Sequence, residues 1–282
     1  MKPLTSPIAF SLLALTLVSS PARAAIIADF TAGNTSSAVD GYVGMAGDGW
    51  SGAWQTKTTV TTINSASVTN TSPLTPTSGN YLAIQTSNAA NAGNPAMAVN
   101  RQYGAAGGGV SLTSPTTFSF LFRPDLGSSA DYRYYIFDAS AASASTGSIC
   151  TWTIAAIGGY WQVLNGNRAG GITSTITTPV ALTLGTTYGF TVVTDPLTQT
   201  WGITISDANG TSLYTNSSLG FRSSATSLGG YLAFGVADST PASASSFGYS
   251  VDSITIVPEP GVTSLAALGL IGIAMVHFRR KA

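Results

Sequence analysis

Apolar and polar residues alternate with a period of two along several short stretches of this chain. Phe118, Phe120 and Phe122 alternate with smaller or polar residues, and Trp201 and Ile203 begin a second run of the same kind. Successive side chains of a β-strand point to opposite faces, so each stretch predicts a strand with one buried face. The same pattern predicts strands over residues 81–85, 117–122, 133–138, 151–155, 160–164, 188–193, 201–206, 212–214, 231–236 and 249–257.

Turn residues separate these stretches, and no segment between them repeats with helical periodicity. Gly158-Gly159, Asp195-Pro196 and Asn209-Gly210 are examples, and Asn-Gly supplies the positive φ values of a tight hairpin. Many short antiparallel strands without helices predict an all-β protein, an antiparallel β-sandwich of the jelly-roll type. Segments 56–78 and 86–110 are rich in small polar residues and predict weakly specified strands with long loops.

The N-terminus has the three parts of a secretory signal peptide. Lys2 precedes the apolar run 8–18, and the small residues Ala22 and Ala24 precede Ala25. This order predicts a signal peptide over 1–24, with cleavage after Ala24. The body is then expected to span 25–257, long enough for one sandwich with a proper core.

The C-terminus, 258–282, also has three parts in a fixed order. Pro258, Glu259 and Pro260 come first, and the two prolines predict an extended, exposed peptide. The run 262–278 holds no Asp, Glu, Lys or Arg and predicts one transmembrane helix. The basic end is expected to stay cytoplasmic, leaving the body outside the membrane; it consists of Arg279, Arg280 and Lys281.

This tail resembles the PEP-CTERM sorting signal of Gram-negative bacteria. The resemblance implies recognition by an exosortase after secretion, with an inner-membrane intermediate that is cleaved near the motif. It further implies delivery to the cell surface or extracellular matrix. Pro258, Glu259 and Pro260 would be substrate residues and not catalytic ones. An ordinary C-terminal anchor with an accidental Pro-Glu-Pro is the alternative.

Composition narrows the classes of function. Only 8% of residues are charged, against about 25% in an ordinary protein, and the formal net charge is zero. The basic residues of the body are scattered singly, so no basic stripe exists to follow a nucleic acid. Cys150 is the sole cysteine, which excludes an intramolecular disulfide and predicts a small buried hydrophobic side chain. An intermolecular disulfide or a reactive thiol is the alternative.

Residues 25–257 contain no histidine and no glutamate, because His277 and Glu259 are the only ones in the chain. A Ser-His-Asp relay and an imidazole-ligated zinc site are therefore excluded from the body. An aspartate pair remains open, since glycoside hydrolysis needs two carboxylates and not glutamate specifically. Asp195 and Asp207 are instead expected to form turns. We expect a non-enzyme, with an Asp-dependent glycan hydrolase or lyase as the alternative.

The order of motifs in the body is similar to that of bacterial laminin-G-like and concanavalin-A-like jelly rolls. The resemblance rests on 47–54, 78–82, Arg101, 118–123, the hairpin at 195–214 and 249–254. It implies roles from carbohydrate binding and adhesion to catalysis, and loops that often bind calcium. Asp125 and Asp131 are weak candidates for calcium ligands because they flank a short loop.

Aromatic residues in or beside Gly-rich loops suggest contact with sugars, because a ring face stacks on a pyranose. The candidates are Trp50, Trp54, Tyr160, Trp161 and Arg168, while Trp152 and Trp201 alternate as core residues. For Trp50 and Trp54 a packed edge of the sandwich is an equal alternative. The sequence thus favours a secreted, non-catalytic domain that binds extracellular polysaccharide or serves an adhesive or structural role.

Overall fold

The computed structural model describes residues 26–28, 30, 50, 53–56, 61–77, 79–88, 96–104, 109–127, 132–141, 150–238 and 245–259. The predicted signal peptide with Ala22, Ala24 and Ala25 lies outside these ranges. So do Pro260, the predicted helix 262–278 and the basic residues Arg279, Arg280 and Lys281. Within the described ranges, no helix is both long enough and apolar enough to cross a membrane.

The described chain is built from β-strands. They are β1 Ile26–Ala28, β2 Gln55–Thr56, β3 Thr61–Thr69, β4 Tyr81–Asn88, β5 Ala96–Gln102, β6 Thr116–Leu126, β7 Tyr132–Ala139, β8 Cys150–Ile157, β9 Tyr160–Gly166, β10 Ile172–Ala181, β11 Tyr188–Asp195, β12 Thr200–Asp207, β13 Ser212–Gly220, β14 Tyr231–Asp238 and β15 Ser245–Pro258.

The strands form two sheets. One has the order β13-β12-β11-β6-β15-β4-β3, with β1 pairing the end of β15, and the other has the order β10-β9-β8-β7-β14-β5-β2. Neighbouring strands run antiparallel, as in β11 and β12, where Phe190 faces Ile205. The predicted all-β fold with antiparallel sheets packed as a sandwich is confirmed.

The main core lies between the inner faces of the two sheets. Phe122 of β6 stacks on Tyr249 of β15 at 5.3 Å between ring centroids and meets Tyr134 of the facing sheet edge-on at 5.8 Å. Trp152 and Trp201, both buried, lie 6.3 Å apart. Such aromatic pairs add about 0.5–1.5 kcal/mol each beyond the burial of area. The prediction that these two tryptophans belong to the core is confirmed.

A second, smaller cluster lies on the other side of the β10-β9-β8-β7-β14-β5-β2 sheet. Because side chains alternate, Tyr134 and Ile136 join the main core while Tyr135 and Phe137 join this second cluster. Cys150 belongs to it and is fully buried, as the sequence predicts. Burial raises the pKa of its thiol to about 12, so the reactive thiolate is suppressed.

The structure adds strands to the prediction and corrects several boundaries. β1 and β10 are missing from the prediction, β6 and β13 are longer than predicted, and β15 runs over Ser245–Pro258 instead of 249–257. Pro258 is therefore buried and pairs with Thr116, whereas the sequence predicts an exposed residue outside the sandwich. A proline is tolerated at such a position because it lies at the end of its strand.

Glu259 continues this attachment to β6. Its backbone N–H donates to the carbonyl of Pro115 at 2.8 Å, and its carboxylate accepts a hydrogen bond from the Thr117 hydroxyl at 2.7 Å. The glutamate itself is exposed. Two residues of the predicted sorting motif are thus held by the edge of the sandwich and do not hang free of it.

Candidate functional site

A polar groove, which we call the Arg168 groove, lies at the turn between β9 and β10. Its volume is about 300 Å³, and it is lined by Asn165, Gly166, Asn167, Arg168, Thr173, Ser218 and Gly220. Residues from β9, the turn, β10 and the end of β13 therefore meet at one place. The lining contains amides, hydroxyls and one guanidinium, and no carboxylate.

The turn is built by Asn167 and by the residues after it. The Asn167 side-chain oxygen accepts hydrogen bonds from the backbone N–H groups of Ala169 at 2.8 Å and Gly171 at 2.9 Å. Asparagine commonly stabilises turns in this way. Arg168 follows with φ of 60°, in the left-handed region that non-glycine residues seldom occupy.

Glycines allow the end of β13 to approach this turn closely. A Cβ on Gly166 would overlap the carbonyl of Phe221, and a Cβ on Gly220 would overlap the carbonyl of Gly166. The contact is then fixed by hydrogen bonds: the Arg168 N–H donates to the carbonyl of Phe221 at 2.9 Å, and the Gly220 N–H donates to the Asn165 side chain at 2.8 Å. The groove is consequently a rigid part of the scaffold.

The donors that remain point to a definite ligand chemistry. Asn165 and Asn167 use their side-chain oxygens within the protein, which leaves each NH₂ group as a donor. The Arg168 side chain is exposed and forms no salt bridge with an acidic side chain among the described residues. The groove therefore suits hydroxyl and carboxylate oxygens of a ligand.

Arg168 and Tyr160, both candidates from the sequence, do not share this site. Tyr160 begins β9 and is 46% exposed, whereas Arg168 follows the end of the same strand. The strand between them spans about 20 Å at the usual rise of a β-strand. A short glycan in the groove is therefore out of reach of the Tyr160 ring.

The prediction that Trp161 contacts sugar is wrong, and for Trp54 the packed-edge alternative holds. Both are fully buried, so neither ring presents a face to a sugar. Trp161 packs edge-on against Phe190 at 4.8 Å in the main core, and Trp54 lies 6.3 Å from Phe234. The alternation of Trp161 with Val163 along β9 contained the signal, since both point inward.

Trp50 lies at the edge of the core and is half-buried. The guanidinium carbon of buried Arg101 lies 4.4 Å from the centre of its ring and 5.8 Å from that of Trp54, and the two tryptophan rings lie 5.9 Å apart. A cation on a tryptophan face contributes about 0.5–2 kcal/mol, depending on how far it is desolvated. This ring face of Trp50 is occupied by the protein itself, which agrees with the packed-edge alternative.

The calcium candidates are not brought together in the described residues. Asp125 is exposed and forms a salt bridge with Arg123, with 2.5 Å between Oδ1 and Nε, and it accepts a hydrogen bond from Ser250. Asp131 lies outside the described residues. In the part of the chain that the structure describes, no three of His, Cys, Asp and Glu lie close enough together to hold a metal ion.

The turn aspartates behave as predicted. The Asp195 carboxylate accepts a hydrogen bond from the Leu197 N–H at 3.0 Å, and Asp207 accepts one from the Thr211 N–H at 2.8 Å. Each side chain caps the start of its turn. Their role as turn residues is confirmed.

Asp138 is a polar centre that the sequence analysis did not single out. It is fully buried and accepts hydrogen bonds from Tyr103 at 2.5 Å, from the backbone N–H groups of Gly229 at 2.6 Å and Gly230 at 3.1 Å, and from Thr151. Burial raises its pKa to about 6, although these hydrogen bonds oppose the shift. All acceptor positions face protein donors, so the carboxyl is structural in this conformation.

Comparison with known proteins gives distant likenesses in structure. No family model matches the chain, and no curated protein matches it. A protein of unknown function from Shewanella oneidensis MR-1 aligns over 93% of this chain and 99% of its own, at 14% identity and a TM-score of 0.49.

Two further solved structures align over less of their length. A sialidase aligns over 70% of this chain at 10% identity, with a TM-score of 0.43. A botulinum neurotoxin DC binding domain in complex with SialylT aligns over 72% of this chain at 13% identity, with a TM-score of 0.37. This chain spans only 17% of the sialidase and 46% of the neurotoxin chain. Likenesses this distant say nothing about the function of this chain.

Proposed function

We propose that this protein is an exported, non-catalytic glycan-binding protein whose jelly-roll domain holds an acidic polysaccharide in the Arg168 groove. The observation that carries the proposal is the lining of the groove: an exposed guanidinium without an acidic partner, beside amide donors, hydroxyls and no carboxylate. Sugar hydroxyls accept hydrogen bonds from amides, and a guanidinium pairs with a carboxylate or sulfate group.

The absence of catalysis is part of the proposal. Among the described carboxylates, Asp138 accepts four hydrogen bonds in the interior, Asp125 is paired with Arg123, and Asp195 and Asp207 form turns. Asp252 is buried and accepts hydrogen bonds from Thr77 and Ser253, and Glu259 accepts one from Thr117. None of them lines the groove. An Asp-dependent hydrolase or lyase would need two such groups facing one ligand.

Binding is tested with polygalacturonate as the acidic probe and a neutral β-glucan as its counterpart, using the full-length chain. We expect retention on the acidic polymer that weakens as salt rises, because the pair with Arg168 is exposed to solvent. Arg168→Gly should lose most of this retention, Arg168→Lys should lose part of it, and Tyr160→Ala, outside the groove, should keep it. Equal retention of Arg168→Gly and wild type would refute the groove as the site.

Catalysis is tested on the same polymers by measuring new reducing ends and unsaturated products. No increase over the polymer alone is expected. A rate that disappears on substitution of an aspartate would make the protein an enzyme and overturn the non-catalytic part of the proposal.

We further propose that the tail directs export and sorting by exosortase, through an inner-membrane intermediate, to the cell surface or extracellular matrix. Replacing Pro258, Glu259 and Pro260 with alanines should leave an uncleaved membrane species in a host that carries an exosortase. A mature size and release equal to wild type would refute the sorting proposal without touching the binding proposal.

A further inference from the structure

A second cavity lies beneath the connection from β13 to β14. It has a volume of about 170 Å³, and its lining comprises Ser140, Thr151, Ser223, Ser224, Ala225, Ser227, Leu228 and Gly229. None of these residues belongs to the Arg168 groove. Five hydroxyl groups and two apolar side chains therefore surround a space with no charged side chain in its wall.

Ser223, one of the residues that line this cavity, has a buried hydroxyl without a hydrogen-bond partner. The residue is 6% exposed, and its buried hydroxyl makes no hydrogen bond within the protein. A buried hydroxyl without a partner costs about 1–3 kcal/mol, so a group that enters the cavity and bonds to it is favoured. The hydroxyl can both donate and accept.

Another part of the cavity wall, formed by Thr151 and Gly229, is held in place by Asp138. Thr151 and the backbone N–H of Gly229 both donate to Asp138, so the Thr151 oxygen keeps its lone pairs for an acceptor role. A Cβ on Gly229 would overlap the backbone of Ala139, which shows how closely the connection lies on the end of β7.

The rim is held in place by Gln199, which lies in the turn between β11 and β12. Its side-chain amide donates to the carbonyls of Ser224 at 2.8 Å and Ala225 at 3.1 Å. Leu228 is tied by its N–H to the carbonyl of Leu112 at 2.7 Å. A cavity whose wall and rim are both bonded to the scaffold is formed before any ligand arrives, which lowers the entropic cost of binding.

We infer that this cavity is a binding site for a single neutral sugar ring. A six-membered ring fits the volume, since an engineered protein cavity of about 150 Å³ admits benzene. The hydroxyls of the sugar match the five hydroxyls of the wall, and its apolar C–H face matches Ala225 and Leu228. A charged ligand is disfavoured because the lining offers no counter-charge.

The test uses methyl α-D-glucopyranoside and methyl β-D-galactopyranoside as probes, with binding to the full-length chain followed by the NMR shifts of the Ser223 and Gly229 amides. Saturable shifts at millimolar concentration are expected for at least one probe. Ser223→Ala should weaken its affinity about tenfold by removing the free hydroxyl. Ala225→Trp should abolish binding by filling the cavity.

Ser212→Ala, an exposed serine at the far end of β13, is the matched control and should bind like wild type. Unchanged affinity in folded Ser223→Ala would overturn the inference, as would a soaked crystal with only water in the cavity. Because the probes are neutral single rings, this result is separate from retention on polygalacturonate, and either proposal can fail alone.

Discussion

Tyr103, which follows β5, donates a hydrogen bond to Asp138 near the end of β7, with 2.5 Å between the phenol oxygen and Oδ1. Both residues are buried. Gly230 donates its N–H to both, at 3.2 Å to the phenol and 3.1 Å to the carboxylate. Burial raises the pKa of the tyrosine well above its usual value, so the phenol remains the donor. This centre supports the serine-lined cavity and also carries the clearest dependence on pH.

The Asp138 contribution to stability should fall as pH rises from 4 to 6. Its folded pKa of about 6 lies above the value near 4 of an unfolded chain, so the folded state binds the extra proton in this window. The difference of about two pKa units corresponds to about 3 kcal/mol. Urea unfolding of wild type and Asp138→Asn at several pH values measures it.

The Asp138→Asn protein is the reference for wild type, because every other carboxylate is the same in both. The gap between the two unfolding free energies should shift by about 2 kcal/mol between pH 4 and 6, and by about 3 kcal/mol over the wider range of about pH 3 to 7. A constant gap would mean that Asp138 titrates alike in both states.

Tyr103→Phe should destabilise the protein by about 1–3 kcal/mol, because it removes a donor from a buried carboxylate. It should also raise the pKa of Asp138 further, since the tyrosine hydrogen bond lowers it. Urea unfolding and carboxyl NMR titration report the two effects. Tyr160→Phe, which removes an exposed hydroxyl, is the control and should change neither.

Truncation of Trp161 and of Tyr160, neighbours on β9, should lower the free energy of unfolding by very different amounts. Trp161→Ala should cost about 3–5 kcal/mol because it opens a cavity in the main core. Tyr160→Ala should cost much less, about 1 kcal/mol or below, because the residue is 46% exposed and lies outside the core. Thermal unfolding of both variants tests the burial assignment, and equal losses would contradict it.

Arg168→Gly should fold at least as stably as wild type. The left-handed φ of 60° costs an L-residue about 1–2 kcal/mol, and glycine avoids this cost while adding about 0.5–1 kcal/mol of unfolded-state entropy. The midpoint of thermal unfolding is the measurement. A loss above about 1 kcal/mol would show that the guanidinium packs against the fold, and would weaken its use as a binding probe.

Thr117→Val should loosen the end of β15 without unfolding the sandwich. It removes the exposed hydrogen bond to the Glu259 carboxylate and leaves the Glu259 N–H on Pro115. Amide exchange of Glu259 should rise by at most about fivefold, since an exposed bond contributes below about 1 kcal/mol. Exchange in β11 should be unaffected, and a change there would indicate a global effect.

The sequence was most informative where structure is local. The β12–β13 hairpin could be read from the alternation of Trp201 with Ile203 and from Asn209-Gly210. β10 escaped detection because it is rich in threonine and mostly exposed, so its strand state depends on pairing with β9. Periodicity cannot report a partner that lies elsewhere in the chain.

The candidate site was predictable only in part. The sequence analysis names Arg168 as a candidate, and the structure places it in one groove with Asn165 and Asn167. The joining of Tyr103 with Asp138 depends on the register of β14 with β5 and β7, which no local pattern encodes. Tyr160 and Trp161 show the remaining limit: adjacent aromatic residues point to opposite sides of a sheet, and only one can meet a ligand.

The end of β15 has a mechanical consequence if the protein is held by its C-terminus. β15 pairs with β6 along one side and with β4 and then β1 along the other. A pull on the chain beyond Glu259 would load these hydrogen bonds together, in shear, instead of peeling them one at a time. The sandwich is therefore attached to its tail through an interior strand, the arrangement in which a tethered domain best resists drag.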